Sequence, residues 1–131
     1  MTAGRALFIL IPALLLAACG DSRTRAMKTV QRVTAEQLRK DVAKYYKNIF
    51  ATNQKTMVTV NPQIWTLASA ELHPERITAY PDGFAFCLES KGSAESGLYI
   101  VPLGMDHDPA PTAWASFEKL SEGIFWYSFK P

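Results

Sequence analysis

The sequence predicts an α+β fold, one N-terminal amphipathic helix packed on an antiparallel β-meander sheet. Three observations carry that prediction. A capped apolar stripe of helical period occupies residues 34–51, and β-branched and aromatic runs bounded by turn formers fill the chain from Met57 onward. Among them Pro81-Asp82-Gly83 joins two alternating runs in the manner of a hairpin. The 131 residues divide into a leader at 1–18, a basic tether at 19–33 and a single domain at 34–131. About 113 residues remain after the leader, a length within the range of one domain with a modest core.

Arg5 and the amino group give a positive start, Ala6 to Leu16 form an apolar run interrupted by Pro12, and Ala17-Ala18 precede Cys19. These are the three parts of an export signal. The run falls short of the ~20 residues that span a bilayer, and its proline disfavours a continuous helix. Leu16-Ala17-Ala18-Cys19 resembles the lipobox of bacterial lipoproteins. The resemblance implies that the Cys19 thiol is diacylated through a thioether and that the peptide before it is cut. The new amino end is usually acylated as well. Cys19 would then be the first residue of a mature chain held in the membrane by its diacylglyceryl and acyl groups, an anchorage that two or more chains make stable. In that family an acidic residue directly after the cysteine favours the inner membrane. Here Gly20 comes first and Asp21 one place late, so the outer membrane, facing the periplasm, is expected.

Charge is unevenly spread. Of the chain's 14 Lys and Arg, Arg23, Arg25, Lys28, Arg32, Arg39, Lys40, Lys44, Lys47 and Lys55 fall between residues 20 and 55, against Asp21, Glu36 and Asp41. Such juxtamembrane cations are each worth about 1 kcal/mol near an anionic lipid surface. Residues 20–33 show little periodicity and are expected to form a flexible leash. Nucleic acid is a poor partner for an exported, lipid-anchored chain.

Within the domain, Thr34-Ala-Glu-Gln37 has the capping-box pattern. Leu38, Val42, Tyr45, Tyr46, Ile49 and Phe50 follow at spacings of three and four, the stripe of an amphipathic helix over 34–51. Met57–Val60 predicts a strand, and Ile64–Leu67 either a strand or a short helix reaching Leu72. Arg76–Tyr80 and Phe84–Glu89 predict a hairpin in which Gly83 supplies a positive φ. Ser90–Gly97 reads as a polar loop, Leu98–Leu103 as a strand and 104–112 as an irregular loop. Trp114–Glu118 and Ile124–Phe129 predict a second hairpin. The late strands are apolar on both faces. A sheet covered by a single helix should alternate more cleanly, so the 61–75 or 104–117 segment must cover the second face, or that face is exposed for binding.

Candidate chemistry is sparse. Asp106-His107-Asp108, with His73 near Glu71 and Glu75, could hold a cation or act as acid and base, although adjacent loop residues seldom converge on one ion. Cys87 lies between Phe86 and Leu88 on an apolar strand, the setting of an inert buried thiol rather than a nucleophile. No phosphate-binding glycine loop, paired metal motif or cofactor fingerprint occurs, so no catalytic residue, metal or cofactor is assigned. The expected function is a lipid-anchored, non-enzymatic binding or assembly module for another envelope component. Its contact residues are expected to be Tyr99, Trp114, Trp126, Tyr127 and Phe129, because Trp and Tyr dominate interface energies. The alternatives are a small periplasmic hydrolase or metal-dependent enzyme centred on Asp106, His107 and Asp108, and a binder of small apolar ligands through Tyr45, Phe50 and Phe84.

Overall fold

A computed structural model describes residues 21–50 and 57–131. The leader, the lipobox and Cys19 lie outside the described residues, as does the expected helix end at 51–53. The order of elements is α1 (Asp21–Val33), α2 (Ala35–Phe50), β1 (Val58–Thr59), a 3-10 turn (Pro62–Ile64) and α3 (Leu67–Glu71), then β2 (Arg76–Tyr80), β3 (Gly83–Lys91), β4 (Ala94–Ile100), β5 (Ala115–Ser121) and β6 (Ile124–Phe129). The architecture is the predicted α+β class.

Residues 21–33 of the expected 20–33 leash differ from their expectation. They form a helix, not a leash, and it packs on α2 and β4. Ala26 and Thr29 are buried, and Val30 and Val33 lie against the same core, so one face of α1 is apolar at three- and four-residue spacing. A stripe that narrow, among basic and polar neighbours, stabilises a helix only through tertiary packing.

Thr34 joins the two helices. Its N–H donates to Val30 O at 2.9 Å and closes α1, while its hydroxyl accepts from Gln37 N at 3.1 Å and caps α2. The reciprocal half of the expected capping box is missing because the Thr34 N–H is already engaged. Gln37 instead donates to Asp41 Oδ1 at 2.9 Å. The double duty puts Thr34 at φ 75°, a conformation uncommon for a β-branched residue. Along α2 the predicted stripe is the buried one: Leu38, Val42 and Tyr45 are in the core, with Tyr46, Ile49 and Phe50 packed beside them.

Among the described residues the strands form a six-stranded antiparallel sheet in the order β1-β2-β3-β4-β6-β5. It is a meander only through β4. The chain then crosses to the outer edge for β5 and returns as β6 between β5 and β4. Both predicted hairpins form, with altered turns. Tyr80 pairs directly with Gly83, leaving Pro81-Asp82 as a two-residue turn. Gly83 therefore does not supply a positive φ; it is glycine because a Cβ would lie 2.4 Å from Tyr99 Cε1. The expected polar loop at 90–97 is largely strand. Lys91 pairs with Ala94 across Gly92-Ser93, and Gly92 takes φ 63°, the glycine position of a II′ turn.

The 61–75 segment adopts the helical alternative, with Thr66 capping α3 by accepting from Ser69 N. A buried polar cluster holds it to α2. Thr66 Oγ1 donates to Asp41 Oδ2 at 2.6 Å, Thr66 N donates to Tyr45 Oη at 2.7 Å, and Tyr45 Oη donates to Ser69 Oγ at 3.1 Å.

The sheet separates two cores. Phe84, Phe86, Leu98, Ile100, Ile77 and Ile124 face the helices together with Leu38 and Val42. Ala85, Tyr99, Val101, Phe125, Tyr127 and Phe129 form the core of the other face. Burying a large apolar side chain contributes about 1.5–3 kcal/mol, so both faces are significant to stability. Of the two expected covers, 61–75 or 104–117, the second face is met by part of the latter, residues 104–114 of the 101–114 connection, while 115–117 belong to β5. Met105 packs on the aromatic cluster, Pro109 is buried, and the segment is tied down at both ends by backbone hydrogen bonds, Val101 N to Gly123 O and Thr112 N to Ala115 O, both 2.9 Å.

Candidate functional site

The five expected contact residues do not share a surface. Tyr99, Tyr127 and Phe129 are buried beneath the 101–114 strap. Their rings interlock: Tyr127 and Phe129 are 4.5 Å apart by centroid, and Tyr99 meets Phe117 edge-on at 5.2 Å, within the range of favourable aromatic pairs. Trp126 alternates to the helix face, where the Arg23 guanidinium stands 6.0 Å from its ring. Only Trp114 offers a large apolar surface; it is 52% exposed and lies edge-on to Phe129 at 5.7 Å. Aromatic content marked a second core, not a docking face.

The Asp106–Asp108 loop is a fastening. His107 Nε2 lies 2.7 Å from the Asp82 carbonyl, and since a carbonyl only accepts, that nitrogen carries the proton. Asp108 is 3.5 Å from Lys119 Nζ, and Asp106 is exposed. His73 does not join them; it sits beside Leu72 and Leu88 on the helix side of the sheet. Among the described residues no three His, Cys, Asp or Glu side chains come together as a metal-binding group. The expected ligand-binding trio is core filling: Tyr45 and Phe84 pack at 6.0 Å, and Phe50 lies on Tyr46 at 4.8 Å.

Cys87 is a buried free thiol. Its Sγ lies 3.4 Å from Glu89 O, and burial, reinforced by the Glu95 carboxylate, pushes it up to about 11. Glu95 is shared by Arg76, at 2.7 Å, and the Tyr127 phenol, also at 2.7 Å. Burial raises the Tyr127 and Tyr99 phenols well above 10.0, helped by their hydrogen bonds to Glu95 and Asp82. All three groups are acids kept neutral by the fold. The unfolded chain therefore holds fewer protons once the pH passes about 9–10 for these groups, and stability falls from there upward. Each titrating proton contributes about 1.4 kcal/mol per pH unit. The melting temperature is expected to fall steeply above about pH 10. Phenolate absorbance of Tyr99 and Tyr127 should rise only as circular dichroism is lost; ionisation of both in a folded chain would contradict their burial.

A groove of about 500 Å³ opens between α1 and the segment that follows α3. Arg25, Lys28 and Arg32 line one wall, on one face of the helix at three- and four-residue spacing, and His73 and Leu88 lie across from them. Glu71 also lines the groove, its carboxylate 3.2 Å from Arg32. Sequence reasoning identified these cations as basic but not as a group, because their grouping depends on α1 being a helix.

No helix among the described residues is long and apolar enough to cross a membrane. Compared with protein-family models, with curated proteins and with solved structures, the chain finds no match in any of the three. Its functional reading therefore rests on its own residues.

Proposed function

We propose that this chain is a lipid-anchored protein of the bacterial envelope, outer membrane and periplasmic side, whose α+β domain is a non-enzymatic binding module for another envelope component. The observation that carries the reading is Leu16-Ala17-Ala18-Cys19 at the end of a short apolar run behind a positive start. Support comes from the occupation of the side chains that chemistry would use. His107 and Asp108 fasten the strap, Ser69 sits in a structural cluster with Thr66 and Tyr45, and Cys87 is buried with its thiol kept protonated. Trp114 remains available to a partner.

Growth with radiolabelled palmitate tests the anchor. The parent chain should take up label, and Cys19→Ser should lose essentially all of it while its uncut precursor accumulates. Label retained by Cys19→Ser, or none in the parent, would remove the basis of the proposal. Fractionation of the labelled parent on a sucrose gradient then reads which membrane holds it.

A further inference from the structure

Residues 21–50 contain neither glycine nor proline, yet they are broken into α1 and α2 at a single position. A helix that ends in a left-handed residue usually places Gly or Asn there. Here that residue is Thr34, at φ 75°, a conformation that its branched Cβ opposes. Helical hydrogen bonding already enters and leaves the joint, since Thr34 N donates to Val30 O and Leu38 N donates to Thr34 O at 3.2 Å. Rotation of Thr34 alone into the right-handed region would make 21–50 one helix. Packing, not local sequence, imposes the break. At ~100° per residue, a straight helix would set the stripe of Ala26, Thr29, Val30 and Val33 about 140° away from Leu38, Val42 and Tyr45. The kink turns both stripes toward one core; straightened, α1 would aim its stripe away from its own sheet. The seat of α1 is also lightly held. Grooves of about 500 and 120 Å³ run along its two flanks. Its ion pairs, Arg23 with Glu118 and Arg32 with Glu71, lie at the surface, where such pairs are worth little.

We propose that α1 exchanges between two copies of this chain. In the resulting dimer each Thr34 is right-handed, each 21–50 segment is straight, and each α1 occupies the seat on its partner. A second copy is the occupant because α1 itself carries the complement of that seat. Arg23 meets Glu118 and the Trp126 ring, Arg32 meets Glu71, and Val30 lines a groove with Leu120 and Ile124. These partners all follow Thr34 in sequence, so each contact can form between chains unchanged. The exchange keeps them and removes one left-handed threonine per chain, the condition under which a short strained hinge favours swapping. Cys19 and its lipid take no part, so this proposal and the palmitate experiment fail separately.

The test mixes two differently tagged full chains in detergent micelles, one carrying Arg23→Cys and the other Glu118→Cys. Neither chain can link these two positions within itself. After treatment with a short bis-maleimide, mass spectrometry should find position 23 of one chain joined to position 118 of the other. The yield should rise with protein concentration. With Lys91→Cys, at the β3–β4 hairpin tip, in place of Glu118→Cys, no such link should form. Thr34→Gly accepts the left-handed turn and weakens a straight helix. It should lower the dimerisation constant about fivefold per hinge, roughly 25-fold for two. Thr34→Ala removes the α2 cap and favours the straight helix, so it should raise the dimer fraction. Should the cysteine variants misfold, sedimentation equilibrium of the parent, Thr34→Gly and Thr34→Ala decides the matter. Absence of the 23–118 link, equal linking through Lys91→Cys, a dimer indifferent to Thr34→Gly, or monomers in all three sedimentation samples would overturn the proposal.

Discussion

Gly97→Ala is expected to prevent folding at 37 °C. Gly97 pairs with Cys87, and the register of β3 against β4 then slips by one residue, leaving Leu88 without a partner. This bulge carries the β3 backbone over Gly97. A methyl group there would lie 1.9 Å from the Phe86 carbonyl oxygen and 2.8 Å from Leu88 N. Neither atom belongs to a side chain that can swing aside, so relief requires β3 and β4 to separate at their central pair. The cost is expected to exceed 4 kcal/mol, the range reached only by backbone or core disruption, against a typical total of about 5–15 kcal/mol. Thermal melts by circular dichroism should show a loss of more than ~20 °C or no cooperative transition. Gly92→Ala is the internal comparison. Its φ of 63° disfavours a side chain, but nothing lies within 4 Å of the added carbon, so it should cost only about 1–2 kcal/mol. A Gly97→Ala protein melting within a few degrees of the parent would refute the bulge geometry.

Elements with a wide or strictly periodic signal were legible in the sequence. The α2 stripe from Leu38 to Phe50 and the alternation of Phe84, Phe86 and Leu88 against Ala85 are buried as their spacing requires. What was hidden depended on distant partners. The Ala26–Val30–Val33 stripe of α1 is too narrow to declare a helix by itself, and it becomes one because α2 and β4 cover it. Gly83 and Gly97 looked like turn and loop residues, whereas their role is to admit Tyr99 and the Phe86 carbonyl. The late strands read as apolar on both faces, yet whether Tyr99 and Tyr127 met solvent depended on the path of the 101–114 strap. His107 could be read as a ligand because its true partner, the backbone of Asp82, lies 25 positions away.

The helical state of 21–33 also alters what the proposed anchor would do. A flexible leash of about 14 residues has a root-mean-square reach of roughly 20 Å and would let the domain sample the periplasm near its membrane. With α1 packed into the domain, slack is removed from that span. An acylated Cys19 would then orient the domain as well as retain it, which places α1 and its cationic face beside the lipid.

Arg39 holds the strap, and its loss carries the second large expected effect. The sequence places this arginine among the polar positions of α2, but the residue is only 7% exposed. Nε donates to Val101 O at 2.9 Å, and one terminal nitrogen donates to Pro102 O at 3.3 Å and Met105 O at 3.2 Å. In return, Arg39 O accepts from Leu103 N at 3.1 Å. The guanidinium thus joins α2 to the start of the segment that covers the aromatic face, and Gly123 leaves it room: a Cβ there would lie 2.2 Å from Nε. Hydrogen bonds from a charged donor are worth about 1.5–3 kcal/mol each when removal strands the acceptor. Arg39→Met keeps much of the packing volume but leaves three carbonyls without this donor, and it should destabilise the domain by about 3–5 kcal/mol in urea unfolding. Arg39→Lys preserves the charge but cannot reproduce the planar fork, so it should recover only part of the loss. The structural consequence is local before it is global. Amides of Leu103 and Met105 should exchange faster in both variants, and the cluster around Tyr99 and Phe117 should bind a hydrophobic dye at urea concentrations where β3 and β4 remain protected. If Arg39→Met unfolds at the parent's midpoint with the strap amides still protected, the cover is held by its own packing and the arginine is incidental to it.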